Sequence, residues 1–486
     1  MRIETLLIGL LLCPAAQAQR PALSPFAGVP APSGAQPAIA APAVSIRLVE
    51  AVALGLRDNR TIRSAFLARV AQRFRLRAAE RRFTPRLEIV ADLYRQELAG
   101  TRSTQASIAG TGGVLLPTGA QIAFQWDRRR RLDARSDSDV ATLALTQPLL
   151  RGAGIAVNRA PVRIARLQET INRLALRNSL AEGISRIVFA YRALQQAQEQ
   201  VQLAERALAR TATLIATNRA LIDAGRMAAA DIVQGEAEQA SQQVALLQIR
   251  QQRASAQLAL LEQLALDPAT NIVAADAVTA DRIPIDLSRA LAAARENRMD
   301  LLAQANAVEQ AREDLRIARN QRLWDLSLAA TATRSTGRDA LLGAYPSRID
   351  NRIGVQLAIP LGDPGPKLAV IEADTGLRTA QLQLESIAQA VETQVRDAAQ
   401  RVDAAWLQVD TAERFRLLAA RAVEIGREKL AAGRTSNFEL LGLQDGLRVA
   451  ESQALAATIG YLDALTAFDL QIGATLDSWN VEGSDE

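Results

Sequence analysis

Three stretches of this chain recur in the same order in its second half, and this duplication limits the fold more than any single motif. The segment Glu50-Ala51-Val52-Ala53-Leu54-Gly55-Leu56-Arg57-Asp58-Asn59-Arg60 returns as Arg289-Ala290-Leu291-Ala292-Ala293-Ala294-Arg295-Glu296-Asn297-Arg298. Leu145-Thr146-Gln147-Pro148-Leu149 returns as Leu357-Ala358-Ile359-Pro360-Leu361, and Ala224-Gly225-Arg226 as Ala432-Gly433-Arg434. Echoes in one order mean that each half builds the same unit: a helix, then strands, then two long helices. A pair of like units makes a pseudo-symmetric wall and not a catalytic cleft.

Four segments carry apolar residues at alternating spacings of three and four, the mark of coiled-coil seams. One stripe runs from Ile184, Ile187, Tyr191 and Leu194 to Val201 and Ile215, and the next through Val233, Ala237, Ala240, Val244, Leu247, Ala254, Leu258, Leu261 and Ala265. The second half repeats them at Val391, Val395, Ala398, Val402 and Val409, then at Leu440, Leu447, Ala450, Ala454, Tyr461 and Phe468. Each long helix ends at an Ala-Gly-Arg turn, so each half predicts an antiparallel hairpin, over 158–266 and 366–475. Helices of this length need lateral partners along their whole extent. Strand alternation is clear over Asp325–Thr333 and Ile353–Ile359, within a block at 325–360. It also marks Glu88–Tyr94 and Thr142–Thr146, within a block at 86–147. Residues 105–130 between them read equally as a further strand pair turning at Pro117-Thr118-Gly119 or as a large loop.

Composition removes several function classes. The chain has no His, and its one cysteine, Cys13, lies in an apparent secretory signal over residues 1–18 with Leu6–Leu12 as core and Ala16-Gln17-Ala18 as cleavage site. Leu11 and Leu12 before Cys13 are not small and argue against a lipoprotein. Imidazole and thiolate chemistry are thus missing from residues 19–486, and Lys367 and Lys429, the only lysines, sit in no recognisable motif. We expect no enzyme activity, no cofactor and no metal. The 57 basic and 52 acidic residues are interleaved and aromatics make up only 3%, so the net charge of +5 describes wet helix faces and no nucleic-acid partner. Residues 19–44 read as a Pro/Ala-rich linker, the repeats as 45–270 and 284–478, and 479–486 as a tail.

No run of about 18 apolar residues follows the signal, so any entry into a membrane has to be made with strands. Four to six strands cannot close a barrel around water, and an open sheet edge in lipid leaves backbone groups unpaired. Copies of the chain therefore have to complete the barrel together. With the duplication, the Ala-Val-Ala-Leu-Gly-Leu-Arg-Asp-Asn opening at 51–59, the Leu-Thr-Gln-Pro-Leu-Leu strand exit at 145–150 and the Ala-Gly-Arg turns, the chain resembles the TolC-like outer-membrane efflux proteins over about residues 45–478. The resemblance implies a mainly helical fold with β: long coiled-coil hairpins forming an α-barrel, plus strands given to a shared, twelve-stranded transmembrane β-barrel of a homotrimer. It implies an outer-membrane location with the helices in the periplasm. The implied role is a passive exit duct for tripartite efflux or type I secretion, working with a periplasmic adaptor and an inner-membrane transporter. A periplasmic coiled-coil structural or adaptor protein is the alternative.

The resemblance also carries over site residues. Asp231 and Glu439, just after the helix turns, stand where the family closes its aperture with acids, and Arg226 and Arg434 stand close enough to pair with them. Gly225, Arg226, Gly433 and Arg434 form the tips at which the family docks its adaptor. An acid in a first helical turn also suits the helix dipole, and Ser436-Asn437-Phe438-Glu439 reads equally as a capping box. Gly442 replaces the acid that the family often carries three residues after the Glu439 position. The run Arg128–Arg131 beside Trp126 reads as a wet loop in preference to a lipid-phosphate site, and Trp324 as an interfacial anchor.

Overall fold

The computed structural model describes residues 43–98, 101–133, 136–225, 231–339 and 343–481. The signal segment and nearly all of the linker lie outside these residues. In chain order the first half contains β1 (Val44–Ile46), α1 (Leu48–Asp58) and α2 (Arg60–Glu80), then β2 (Arg86–Leu98), β3 (Thr101–Leu115), β4 (Gln121–Arg131) and β5 (Ser136–Pro148). A short α3 (Ile155–Asn158) leads into α4 (Ala160–Asp223) and α5 (Asp231–Leu264). The second half contains β6 (Ile272–Ala274), α6 (Leu287–Asn297), α7 (Met299–Gln321), β7 (Asp325–Asp339), β8 (Gly343–Ala358), α8 (Gly365–Ala431), α9 (Asn437–Ile472) and α10 (Thr475–Ser478). Both halves follow the order that the duplication predicts.

The two outgoing helices, α4 with 64 residues and α8 with 67, run without a break. At 1.5 Å per residue they reach about 95 and 100 Å. Each starts with a proline in its first turn, where the missing N–H has no helical partner to lose. The returning helices α5 and α9 have only 34 and 36 residues and cover half of that length. The other half is covered by α2 and α7. The lateral order is therefore α5-α4-α9-α8 towards the hairpin turns and α2-α4-α7-α8 towards the strands.

Seams predicted on α4, α8 and α9 are buried inside the chain: Ile184, Ile187, Tyr191, Leu194, Val395, Val402, Leu440, Ala450 and Tyr461. The stripe on α5 behaves otherwise. Val233, Val244, Leu247 and Leu258 are more than half exposed, while Leu261, near the end of the same stripe, is buried together with Leu246, Leu260 and Leu264. The helices at both ends of each layer share this property: α2 exposes Phe66, Leu67, Val70 and Phe74, and α8 exposes Leu407, Leu417, Leu418 and Ile425.

Around the middle of the long helices a belt locks the halves together. β1 and β6 pair in parallel, and the Tyr191 hydroxyl on α4 lies 3.0 Å from the Ile46 carbonyl and 2.7 Å from the Asp276 carboxylate. Burial and that carboxylate push the Tyr191 phenol up to about 12. Tyr461 does the same work in the second half, donating to the Asp281 carbonyl at 3.0 Å, accepting from the Ile283 N–H at 2.9 Å, and meeting Trp406 edge-on. Trp479 and Val481, at the start of the expected tail, pack against the first-half core.

One six-stranded antiparallel sheet, in the order β2-β3-β4-β5-β7-β8, joins the strand blocks of both halves. Residues 105–130 thus supply a strand pair. Arg128–Arg131 is the end of β4, which corrects the reading as a loop: its residues alternate between the faces, and Arg129 meets Asp127 at 2.9 Å. The register puts Leu87, Ile89, Leu93, Ile108, Ile122, Phe124, Trp126, Leu143, Leu145, Leu328, Ile353, Val355 and Leu357 on one face. Glu88, Asp92, Thr111, Gln125, Thr142, Thr331, Arg352 and Gln356 lie on the other. Polar-in, apolar-out alternation of this kind suits a sheet with lipid on one side and water on the other. The apolar face is bare: Ile353 is 79% exposed and Leu87 73%.

The α2–α4 contact depends on Arg69, which grips Glu169 through two nitrogens at 3.0 and 2.5 Å, both side chains being largely buried. Arg69→Ala leaves that carboxylate without its main counter-charge and is expected to cost roughly 1.5–3 kcal/mol. Arg69 holds the Glu169 carboxyl below its usual value. The pair's stabilisation is then full above about pH 4.3 and is lost as the pH falls through the lower folded value. Thermal melts of the helical circular dichroism at pH 7 and pH 3 check both points: the variant melts lower at pH 7, and the difference shrinks at pH 3.

Candidate aperture at the helix tips

Where α4 and α8 stop, the chain reverses by the same device in both halves. Gly225 and Gly433 have φ of +70° and +63°, a left-handed backbone that side chains resist, and each follows the last residue of helical register. In the second tip the Gly433 N–H donates to the Leu430 carbonyl at 3.0 Å and the Arg434 N–H to the Lys429 carbonyl at 2.8 Å. This pair of bonds is a Schellman cap, which satisfies two of the carbonyls that a helix end leaves open. The first tip repeats the first bond, Gly225 N–H to Ile222 carbonyl, at 2.8 Å. Arg226 lies outside the described residues, as does the side chain of Asp231, whose backbone opens α5.

The return into α9 is capped from both sides. Ser436 accepts the Glu439 N–H at 3.2 Å, and Thr435 donates its hydroxyl to the Glu439 carboxylate. Glu439 therefore holds a hydroxyl of its own turn, in the first turn of α9 where the helix dipole favours an anion. Among the described residues no ion pair joins it to Arg434. Both side chains are exposed, as is Phe438 at 70%. Immediately behind them Leu440, Leu441 and Leu214 form a small core between α9 and α4. The second tip thus has an apolar core behind it and presents Arg434, Glu439 and the ring of Phe438 to the outside.

Charges that sequence reasoning missed tie the two hairpins together above the tips. Arg210 of α4 holds Glu451 of α9 at 2.9 and 3.3 Å. Higher on the same two helices, Arg192 reaches Thr466 at 2.7 Å and Asp463 at 3.2 Å. Burial pushes Asp463 above the usual carboxylate range, against the pull of Arg192, and lowers Arg192 in turn. A signal existed in principle: each of these residues interrupts or flanks an apolar stripe. Asn218, fully buried in α4 near the tip, has neither amide atom hydrogen-bonded among the described residues.

No family model matches the chain and no curated protein matches it. Solved structures do. The Campylobacter jejuni CmeC outer membrane channel aligns over 90% of this chain and 87% of its own, with a TM-score of 0.68 and 15% identity. The outer membrane protein VceC of Vibrio cholerae aligns over 88% of this chain and 96% of its own, with a TM-score of 0.68 and 16% identity. The open state of the Neisseria gonorrhoeae MtrE outer membrane channel aligns over 88% and 89%, with a TM-score of 0.68 and 18% identity. The chain shares the fold of these outer membrane proteins over nearly all of its described length.

The cap geometry has a direct consequence for the tip. Ser436→Ala removes the acceptor of the Glu439 N–H and is expected to loosen the start of α9 by about 1 kcal/mol. Hydrogen exchange checks this: amides of residues 437–441 exchange about five-fold faster in the variant, while the belt around Tyr461 is unchanged.

Proposed function

We propose that three copies of this chain form a passive duct across the outer membrane and periplasm, serving tripartite efflux or type I secretion. The observation that carries this reading is that every layer of the chain ends in two uncovered edges. In the sheet these are β2 and β8, in the helical layers α2 or α5 on one side and α8 on the other. β2 runs away from its helix and β8 runs back to one, so β8 of one copy beside β2 of the next continues the antiparallel order. The exposed stripes on α5 and α2 meet the exposed face of α8 by the same rotation. A single operation thus covers every edge, which suits a closed ring.

The bare apolar face of the sheet turns to lipid and the polar face to the lumen. The helices form the periplasmic tunnel, with the tips at its far end. There Asp231 and Glu439 of each chain put six carboxylates around the opening, a ring that favours cations. Arg226 and Arg434 are close enough in sequence to those acids to pair with them. With Gly225 and Gly433 they make up the surface that a periplasmic adaptor, linked to an inner-membrane transporter, would dock. The duct itself performs no chemistry and needs no cofactor; energy comes from the transporter.

Planar-bilayer recordings of the purified protein test the reading. Large, cation-preferring conductance steps are expected, and the preference weakens in Asp231→Ala and further in the double variant with Glu439→Ala. An electrically silent protein, soluble without detergent, sinks the duct and favours a periplasmic structural role.

A further inference from the structure

We infer that the β3–β4 hairpin is a port-widening part of the barrel wall: it gives each chain six strands, so the outer opening is as wide as the helical tunnel below it. The inference rests on the trimeric duct proposed above. Three chains of six strands make an eighteen-stranded wall, where four strands per chain would make the twelve that the sequence resemblance implies.

The hairpin belongs to the wall on several grounds. β3 pairs with β2 along thirteen residues and β4 with β5 along eleven, without a register shift in either. Its faces obey the same alternation as its neighbours: Ile108, Ile122, Phe124 and Trp126 share the apolar side, Thr111 and Gln125 the polar side. Its lower turn is also built into the fold. The Thr118 carbonyl accepts the Gly154 N–H at 3.0 Å, and Ala120 is buried. At Gly119, with φ +94°, any side chain would stand 2.3 Å from the Gly152 carbonyl. A loop merely laid across the sheet would need none of these contacts.

Widths decide what the extra pair does. Strands lie about 4.8 Å apart and tilt by about 40° in barrels, so each takes up about 6.3 Å of circumference. Six then span about 38 Å and four about 25 Å. Helices pack at about 8–10 Å, so the four helices of each layer span about 32–40 Å. Six strands therefore match the helical arc and four fall well short of it. Without the hairpin the port would be about a third narrower across its backbone and would be the constriction of the duct. With it, the upper limit on cargo girth passes from the membrane port to the tips.

Deleting residues 101–133 tests this, because β2 would then run up and β5 down as direct antiparallel neighbours. The size limit is read with graded polyethylene glycols added on the barrel side in planar bilayers. The exclusion radius is expected to fall by at least about a third relative to the full chain, with the oligomer intact, because the side-chain lining takes the same depth from a narrower wall. An unchanged radius overturns the inference while leaving the duct standing; a full chain that forms no channel removes the duct itself. Should the deletion fail to assemble, single cysteines decide the matter in the full chain carrying Cys13→Ser. A water-soluble thiol reagent should label Ala123→Cys and Gln125→Cys in membranes and spare Ile122→Cys and Phe124→Cys. Labelling of all four alike would put the hairpin outside the wall.

Discussion

A β-strand at the edge of a sheet presents a row of backbone donors and acceptors with nothing to bond, and in this chain such an edge also carries a bare apolar face. β2 and β8 are edges of that kind, and no element of the described chain covers them. Water can satisfy the backbone of an edge strand but not the apolar face beside it; lipid can take the apolar face but not the backbone. Only another strand satisfies both. The rest of the architecture follows the same rule at a larger scale, since α2, α5 and α8 end their layers with exposed leucine, valine and phenylalanine.

The duplication explains why one rule governs every layer. Two like units packed side by side share an inner seam and leave two outer ones. The inner seam is the well-packed contact of α4 with α9 and α7, fixed in the belt by Tyr191 and Tyr461 and braced by Arg192 with Asp463 and Arg210 with Glu451. These polar links are partly buried and specific in geometry, and they bear on the relative register of the two hairpins more than they add net stability. A slip of one helical turn on a helix of about 100 Å would displace a tip by about 5 Å.

Much of this plan is legible in the sequence because long helices advertise themselves. The heptad stripes on α4, α8 and α9 gave both the helices and their buried faces. The stripe on α5 was equally visible, yet its partner was not, since periodicity reports that a face is apolar and says nothing of which chain covers it. The β3–β4 pair stayed ambiguous for a different reason. Its apolar face is built from Ala106, Gly110 and Gly112 as much as from Ile108, and small residues alternate with Ser and Thr without a hydropathy signal. Four successive arginines at the end of β4 hid the period of two, because at a strand's rim both faces are wet. At the tips, the Ala-Gly-Arg turns were readable, whereas the partner of Glu439 was not: Thr435 competes with Arg434 for that carboxylate, and only the turn geometry decides between them.

The central claim is that an isolated chain is incomplete and that neighbouring copies finish it. Native mass spectrometry of the detergent-purified protein addresses this most directly, because it counts copies without assuming a channel. A single species at three times the mass of the processed chain is expected, persisting until the detergent micelle is stripped away. A monodisperse single chain, stable in buffer with no detergent present, would contradict it.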